Sequence, residues 1–141
     1  MKRFIIILLL FSSVIFARKI VVKMGTLAPE GTDWHGMLIE MGQQWKSATK
    51  GKVQLRVYPG GVLGDERDMV RKMRIGQIQA AGMTAEGLSE IVSDFSCYFV
   101  PLVYQDSEDV KRVTEALLPK LEQKLEDNGF KLLYLSELTY A

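Results

Sequence analysis

The apolar residues of this chain alternate between a strand-like and a helix-like spacing, and this alternation limits its fold more than any other feature. Residues 20–24 are mostly β-branched and predict a buried strand, whereas the apolar residues after Thr32 are spaced three and four apart and predict an amphipathic helix. The same change recurs along the chain, with further predicted strands at 53–58, 78–83 and 130–136. This order predicts an α/β fold with a mostly parallel sheet and helices on both faces.

The predicted helices have residues suited to begin and end them. The candidate capping residues of the three longer helices are, in chain order, Thr32 or Asp33, Asp65 and Ser107. The glycines placed to end them in the left-handed conformation are Gly51, Gly76 and Gly129. A brief helix is predicted at 85–92, and Pro119 predicts a kink or a restart inside the long helix.

The first 17 residues have the pattern of a secretory signal. Lys2 and Arg3 precede a short apolar run, and Ala17 is a small residue suited to cleavage. The run is shorter than the roughly 20 apolar residues that span a bilayer, so an uncleaved anchor is the less favoured alternative. Cleavage after Ala17 would leave 124 of the 141 residues, which is enough for one domain.

Charge and cysteine content exclude several functions. The net charge falls from +1 to −1 once the two cations Lys2 and Arg3 are removed, which disfavours nucleic acid and anionic lipid as partners. Cys97 is the only cysteine, so no internal disulfide can form, and one cysteine with one histidine disfavours a structural zinc site. We expect neither a metal nor a cofactor.

The glycines of the loop before the second helix admit two interpretations. Gly60, Gly61 and Gly64 could cradle a phosphate at the helix start, but they lack the dinucleotide spacing, and Asp65 and Glu66 would repel an anion. The favoured interpretation is a tight turn followed by a capped helix.

Three side chains are candidates for catalytic chemistry. His35 and Glu66 could serve a small exported hydrolytic enzyme, although no partnered nucleophile is evident for His35. Cys97 lies among aromatic residues and is interpreted as a small core residue rather than a nucleophile.

Seven ordered segments give the chain a resemblance to a known family, the DctP-like solute-binding subunits of TRAP transporters. They are Pro29-Glu30-Gly31-Thr32, Lys50-Gly51-Lys52-Val53, Tyr58-Pro59, Leu63-Gly64-Asp65-Glu66-Arg67, Met73-Arg74-Ile75-Gly76-Gln77-Ile78, Phe99-Val100-Pro101-Leu102-Val103 and Gly129-Phe130. The resemblance implies a periplasmic-binding-protein type II-like fold, with three layers in each lobe. It also implies a periplasmic location, a small organic-acid ligand and membrane permease partners.

The resemblance places five residues of this chain at the ligand cleft: Leu27, Glu66, Gly82, Met83 and Thr84. Leu27 stands where members of the sialic-acid type have a polar residue, and Thr84 stands where they have an acid. Both differences favour a smaller or more apolar carboxylate over a sugar acid.

Members of the family have two lobes, and this chain resembles the first. The arginine that clamps the ligand carboxylate belongs to the second lobe, and neither Arg56 nor Arg67 matches it. Residues 18–141 are therefore expected to be an incomplete first lobe, which binds acids poorly and exposes apolar surface. A one-lobe interaction module and the hydrolytic enzyme remain the alternatives.

Overall fold

The computed structural model describes residues 19–136. The predicted signal segment, residues 1–17, lies outside them. The strands are β1 (Ile20–Thr26), β2 (Val53–Tyr58) and β3 (Ala80–Gly82). The helices are α1 (Asp33–Ala48), α2 (Glu66–Arg74), α3 (Ala85–Ser89) and α4 (Ser107–Asp127), with a 3₁₀-helix at Ser93–Phe99.

The three strands form a parallel sheet with β1 in the centre. The order is β2-β1-β3, and the register pairs Gly25 with both Tyr58 and Ala81. The chain thus crosses from β1 to β2 on one side and then back over β1 to β3 on the other. The predicted α/β fold with a parallel sheet is confirmed.

Helices α1 and α2 cover opposite faces of this sheet. Gly42 of α1 lies so close to Leu55 that an added Cβ would stand 3.1 Å from the Leu55 Cβ. On α2, the sulfur of Met69 lies 3.0 Å from where a Cβ on Gly25 would be. Leu55 pairs with Val22, three residues before Gly25, so the two contacts are on opposite faces of the sheet. Right-handed crossovers in opposite directions give this arrangement.

The helix ends are formed largely by the predicted residues. The side chains of Thr32 and Asp65 accept hydrogen bonds from the main-chain N–H three residues on, and so cap α1 and α2. The glycines after the three longer helices, Gly51, Gly76 and Gly129, have φ of 78°, 73° and 83°.

A cluster of buried apolar side chains is formed by residues outside the strands. It joins α3, the 3₁₀-helix and α4 through Leu88, Val92, Phe95, Leu121 and Leu125. Phe95 is fully buried at its centre. This cluster fixes α3, and with it the loop that leads from β3 into α3.

Two predicted strands differ from the observed structure. Strand β3 is shorter than 78–83, because the N–H groups of Gln77 and Ile78 donate to the carbonyl of Lys72 at the end of α2. The described part of 130–136 contains no strand. Its apolar residues Phe130, Leu132 and Leu135 pack against the buried cluster instead, so burial rather than strand pairing produces their pattern.

The N-cap of the long helix also differs from its prediction. The cap is Asp106, which accepts from the N–H of Asp109, rather than Ser107. The helix continues from residue 107 to 127 with Pro119 inside, so no restart occurs. Within residues 19–136, no helix is both long enough and apolar enough to cross a membrane.

Candidate functional site

The carboxyl ends of all three parallel strands meet at one edge of the sheet. Thr26 ends β1 and pairs with Gly82, which ends β3, while Tyr58 ends β2 beside Gly25. The crossover from β1 to β2 and the crossover from β2 to β3 run in opposite directions along the sheet, so the crevice between β1 and β3 is a topological switch point. Ligands of open α/β sheets bind at such points.

Hydrogen bonds join the loops after β1 and β2 at this edge. The N–H of Gly61 donates to the carbonyl of Thr26 (3.0 Å), and the N–H of Gly60 donates to that of Ala28 (2.8 Å). The buried hydroxyl of Thr26 accepts from the N–H of Ala28 (3.2 Å). The edge therefore has a fixed backbone on its β1–β2 side.

These bonds account for the glycine-rich loop. The N–H groups of Gly60, Gly61 and Gly64 all donate to main-chain carbonyl oxygens. A phosphate loop needs such N–H groups to point at its ligand. The loop therefore has the geometry of a tight turn, which is the interpretation that the sequence favoured over a phosphate loop.

Glu66 and Thr84 meet across the β3 side of the edge. One carboxylate oxygen of Glu66 accepts from the main-chain N–H of Thr84 (2.6 Å), and the other accepts from its hydroxyl (2.8 Å). The same hydroxyl accepts from the N–H of Gly87 and so caps α3. The start of α2 is thereby tied to the segment that follows β3.

A neighbouring pair makes a second tie between α2 and α3. The guanidinium of Arg67 donates to the carboxylate of Glu90 at 2.8 Å, and Glu90 is the C-cap of α3. Glu90 also raises the pKa of Arg67, first through this hydrogen bond and then through its charge. The two ends of α3 are thus held by consecutive residues of α2.

The other predicted site residues lie around the same edge. Leu27 is 43% exposed, and its Cδ2 would lie 3.3 Å from a Cβ on Gly61, so it covers the turn after β2. Gly82 ends β3, and a Cβ there would stand 3.4 Å from the Thr26 hydroxyl. Met83 packs partly against the buried cluster. The structure thus brings Glu66 and Thr84 into contact and places the other three at the ends of β1 and β3.

The arginines between residues 19 and 136 each have a partner within the protein. Arg56 lies over the ring of Tyr58, Arg74 lies over Phe130, and the remaining three form ion pairs: Arg67 with Glu90, Arg71 with Asp68 and Arg112 with Asp109. Within this part of the chain, therefore, each guanidinium is already engaged by another side chain.

The surroundings of the other two candidate catalytic side chains, His35 and Cys97, disfavour catalysis. The Nδ1 atom of His35 accepts from the N–H of Gly31 at 3.2 Å, which ties the ring to the loop before α1. Burial raises the pKa of the Cys97 thiol, and the charge of Asp94 raises it further. A raised pKa disfavours the thiolate that a nucleophile needs.

Three residues of the site were missed by sequence reasoning. They are Thr26, which braces the β1 loop, Gly87, which admits the Glu66 carboxylate, and Glu90, which holds Arg67. Only Gly87 left a signal in the sequence, because a glycine inside a short predicted helix weakens the helix and indicates a close approach.

Comparison with known proteins agrees with this geometry. The family described as bacterial extracellular solute-binding protein, family 7 (DctP) matches residues 24–140. The chain belongs to this family. DctP-family relatives are periplasmic solute-binding proteins, such as the C4-dicarboxylate-binding protein of Rhodobacter capsulatus, 31% identical over 100 residues. That match covers 60% of this chain and 29% of the relative.

Two further relatives extend the comparison. A solute-binding protein of Roseobacter denitrificans is 30% identical over 104 residues, which are 74% of this chain and 32% of that protein. The crystal structure of a TRAP solute-binding protein of Haemophilus influenzae, with bound L-gulonate, is 29% identical and has a TM-score of 0.71. It matches 82% of this chain and 38% of its own. This DctP-family chain thus spans about a third of the length of the relatives it matches.

Proposed function

We propose that this chain is the first-lobe part of an extracytoplasmic receptor, which captures a small organic acid and delivers it to the membrane permease of a TRAP-type transporter. The observation that carries this proposal is the switch-point crevice of a DctP-family fold, where Glu66 binds Thr84 and Leu27 directly follows the end of β1. In this assignment residues 1–17 are the export signal and residues 18–141 form the lobe.

The lobe would supply the uncharged wall of the binding cleft. Leu27 offers apolar surface, and the segment from Gly82 to Thr84 offers backbone. Because the arginines of residues 19–136 each have a partner within the protein, the cation that binds the ligand carboxylate would come from a second lobe. Closure of two lobes around the acid would follow from contacts that exist only in the closed state.

The contacts of the site favour capture over hydrolysis. A general base needs an open hydrogen-bonding atom directed at its substrate. The carboxylate of Glu66 is engaged by Thr84, and Nδ1 of His35 is engaged by Gly31. We therefore propose a binding role without catalysis.

The proposed ligand is an organic acid. Its size and polarity are predicted differently by the sequence and by one of the relatives. Leu27 and Thr84 favour a small or apolar carboxylate, whereas the Haemophilus influenzae relative holds the sugar acid L-gulonate. Both classes contain a carboxylate, and they differ in the number of hydroxyl groups that the cleft wall must satisfy.

A titration followed by nuclear magnetic resonance tests the proposal on the chain itself. The ¹⁵N-labelled protein would receive millimolar L-gulonate, succinate or 4-methyl-2-oxopentanoate, and the amide shifts of Leu27, Met83 and Thr84 would be recorded. We expect weak binding, with the shifts confined to this edge of the sheet, and a larger response to the apolar acid.

The matched control is neutral glycerol, which has hydroxyl groups but no carboxylate. Shifts spread evenly over the surface, or shifts with 4-methyl-2-oxopentanoate no larger than those with glycerol, would contradict a binding wall at this edge. A larger response to L-gulonate would keep the site and reject the expectation of a more apolar ligand.

A further inference from the structure

Two consecutive residues at the start of α2 hold the two ends of α3. Glu66 binds Thr84, the N-cap of α3, and Arg67 binds Glu90, its C-cap. Helix α3 has only five residues and could not form a stable helix by itself. Its position, and that of the cleft segment before it, therefore depends on contacts from other elements.

The contact between Glu66 and Thr84 is a charge-assisted pair of hydrogen bonds. Each carboxylate oxygen accepts one, from the main-chain N–H and from the hydroxyl of the same residue. Such bonds to a carboxylate are about twice as strong as those between neutral groups. They fix both the backbone and the side chain of Thr84.

The backbone of α3 leaves space for this carboxylate. A Cβ on Gly87 would stand 2.7 Å from the Glu66 Oε2, 2.8 Å from its carboxyl carbon and 2.9 Å from its Cβ. Any larger residue at position 87 would displace the Glu66 side chain. Because the Glu66 Cβ is itself among the atoms that are too close, rotation of the carboxylate alone would not relieve the clash.

We propose that Glu66 is a positioning residue, which holds the segment from Gly82 to Thr84 in the shape that the solute meets, and that Gly87 exists to admit it. The role in shaping a solute cleft rests on the proposed function, but the contact between Glu66 and Thr84 forms without a ligand. Glu66 then acts on the solute through Thr84 rather than by touching it.

Hydrogen exchange of the Thr84 amide, measured without any ligand, tests this role. Two variants remove the contact in different ways: Glu66→Ala deletes the acceptor, and Gly87→Ala pushes it away. We expect each to speed exchange at Thr84 by about 10- to 100-fold, because a hydrogen bond to a charged group is lost. Acceleration by Gly87→Ala would be especially telling, since alanine favours helix formation more than glycine does.

One further variant serves as a control. Glu86→Ala removes an exposed glutamate from the same short helix. It should leave exchange at Thr84 within about twofold of the wild type, since it does not remove the contact. The amide of Phe95, which bonds to Val92 in the buried cluster, reports on global unfolding.

Three results would overturn the proposal. They are unchanged exchange at Thr84 in Glu66→Ala, equal acceleration at Thr84 and Phe95, and an effect of Glu86→Ala as large as that of Glu66→Ala. The hydrogen-exchange measurement contains no organic-acid ligand, so its outcome is independent of the binding titration. A negative titration would not contradict the role of Glu66, and unchanged exchange would not contradict binding of the acid.

Discussion

Gly64 shows how tightly a single position is packed at the start of α2. Its φ is +95°, and a Cβ there would lie 2.4 Å from the Asp68 Oδ2 and 2.7 Å from the Asp68 Cβ. Gly31 has a similar φ of +84°, but a Cβ there would meet no atom within 4 Å. A side chain at Gly31 would therefore meet only backbone strain, whereas a side chain at Gly64 would meet backbone strain and a collision with Asp68.

Alanine at these two positions should therefore have different effects. Gly31→Ala should lower the free energy of unfolding by about 1 kcal/mol, because alanine is strained at positive φ. Gly64→Ala should lower it by at least about 1 kcal/mol more, because the Asp68 side chain must also move. Urea denaturation of both variants measures the difference, and equal losses would contradict a collision with Asp68.

At the level of the element, the N-cap of helix α4 is Asp106 and not its neighbour Ser107, which the sequence predicted. The side chain of Asp106 accepts from the Asp109 N–H at 2.9 Å, whereas Ser107 is the first residue within the helix. Aspartate also suits the positive end of a helix dipole. The capping role therefore belongs to Asp106, one residue before the predicted position.

Replacement of the two residues tests this assignment. Asp106→Ala should lower the free energy of unfolding by about 1 kcal/mol, the usual cost of losing an N-cap, while Ser107→Ala should change it little. Thermal unfolding of both variants provides the measurement. A larger loss for Ser107→Ala would restore the cap predicted from sequence.

The elements that sequence predicted well are those whose pattern is local. Helix α2 begins at its predicted cap and ends before Gly76, because both signals lie within a few residues of the helix. The predicted strand at 130–136 was wrong, since alternation records burial and cannot tell a sheet partner from an apolar cluster.

The candidate site was predictable in part for the same reason. Sequence and resemblance placed Glu66 and Thr84 at one edge of the sheet, but their contact joins residues 18 positions apart. Glu90 pairs with Arg67 across 23 positions and gave no signal. Such pairings depend on the crossover geometry, which local patterns do not encode.

At the scale of the whole molecule, one exposed segment has four large apolar residues within five positions. Phe99, Val100, Leu102 and Val103 flank Pro101 and are all exposed, with Leu102 at 99%. A contiguous exposed apolar surface favours association. This agrees with the expectation that a single lobe exposes apolar surface.

Association should therefore depend on this segment. Leu102→Asn should reduce binding of a hydrophobic dye and raise the concentration at which the chain associates in sedimentation experiments. Asparagine also tolerates the φ of +64° at this position, so the fold should be kept. Val62→Thr, at an exposed position elsewhere, is the control. A monodisperse wild-type chain that binds no dye would contradict the prediction.

The central position of β1 has a consequence for the order of folding. This strand is the first of the three in the chain. One of its edges pairs with residues 53–58 and the other with residues 80–82, which are synthesised later. Each pairing closes a loop of many residues, and such distant pairings form slowly. The polypeptide therefore cannot complete this three-stranded sheet until residue 82 has been synthesised. Until then at least one edge of β1 has no strand partner, so the part of the chain already made contains no finished sheet.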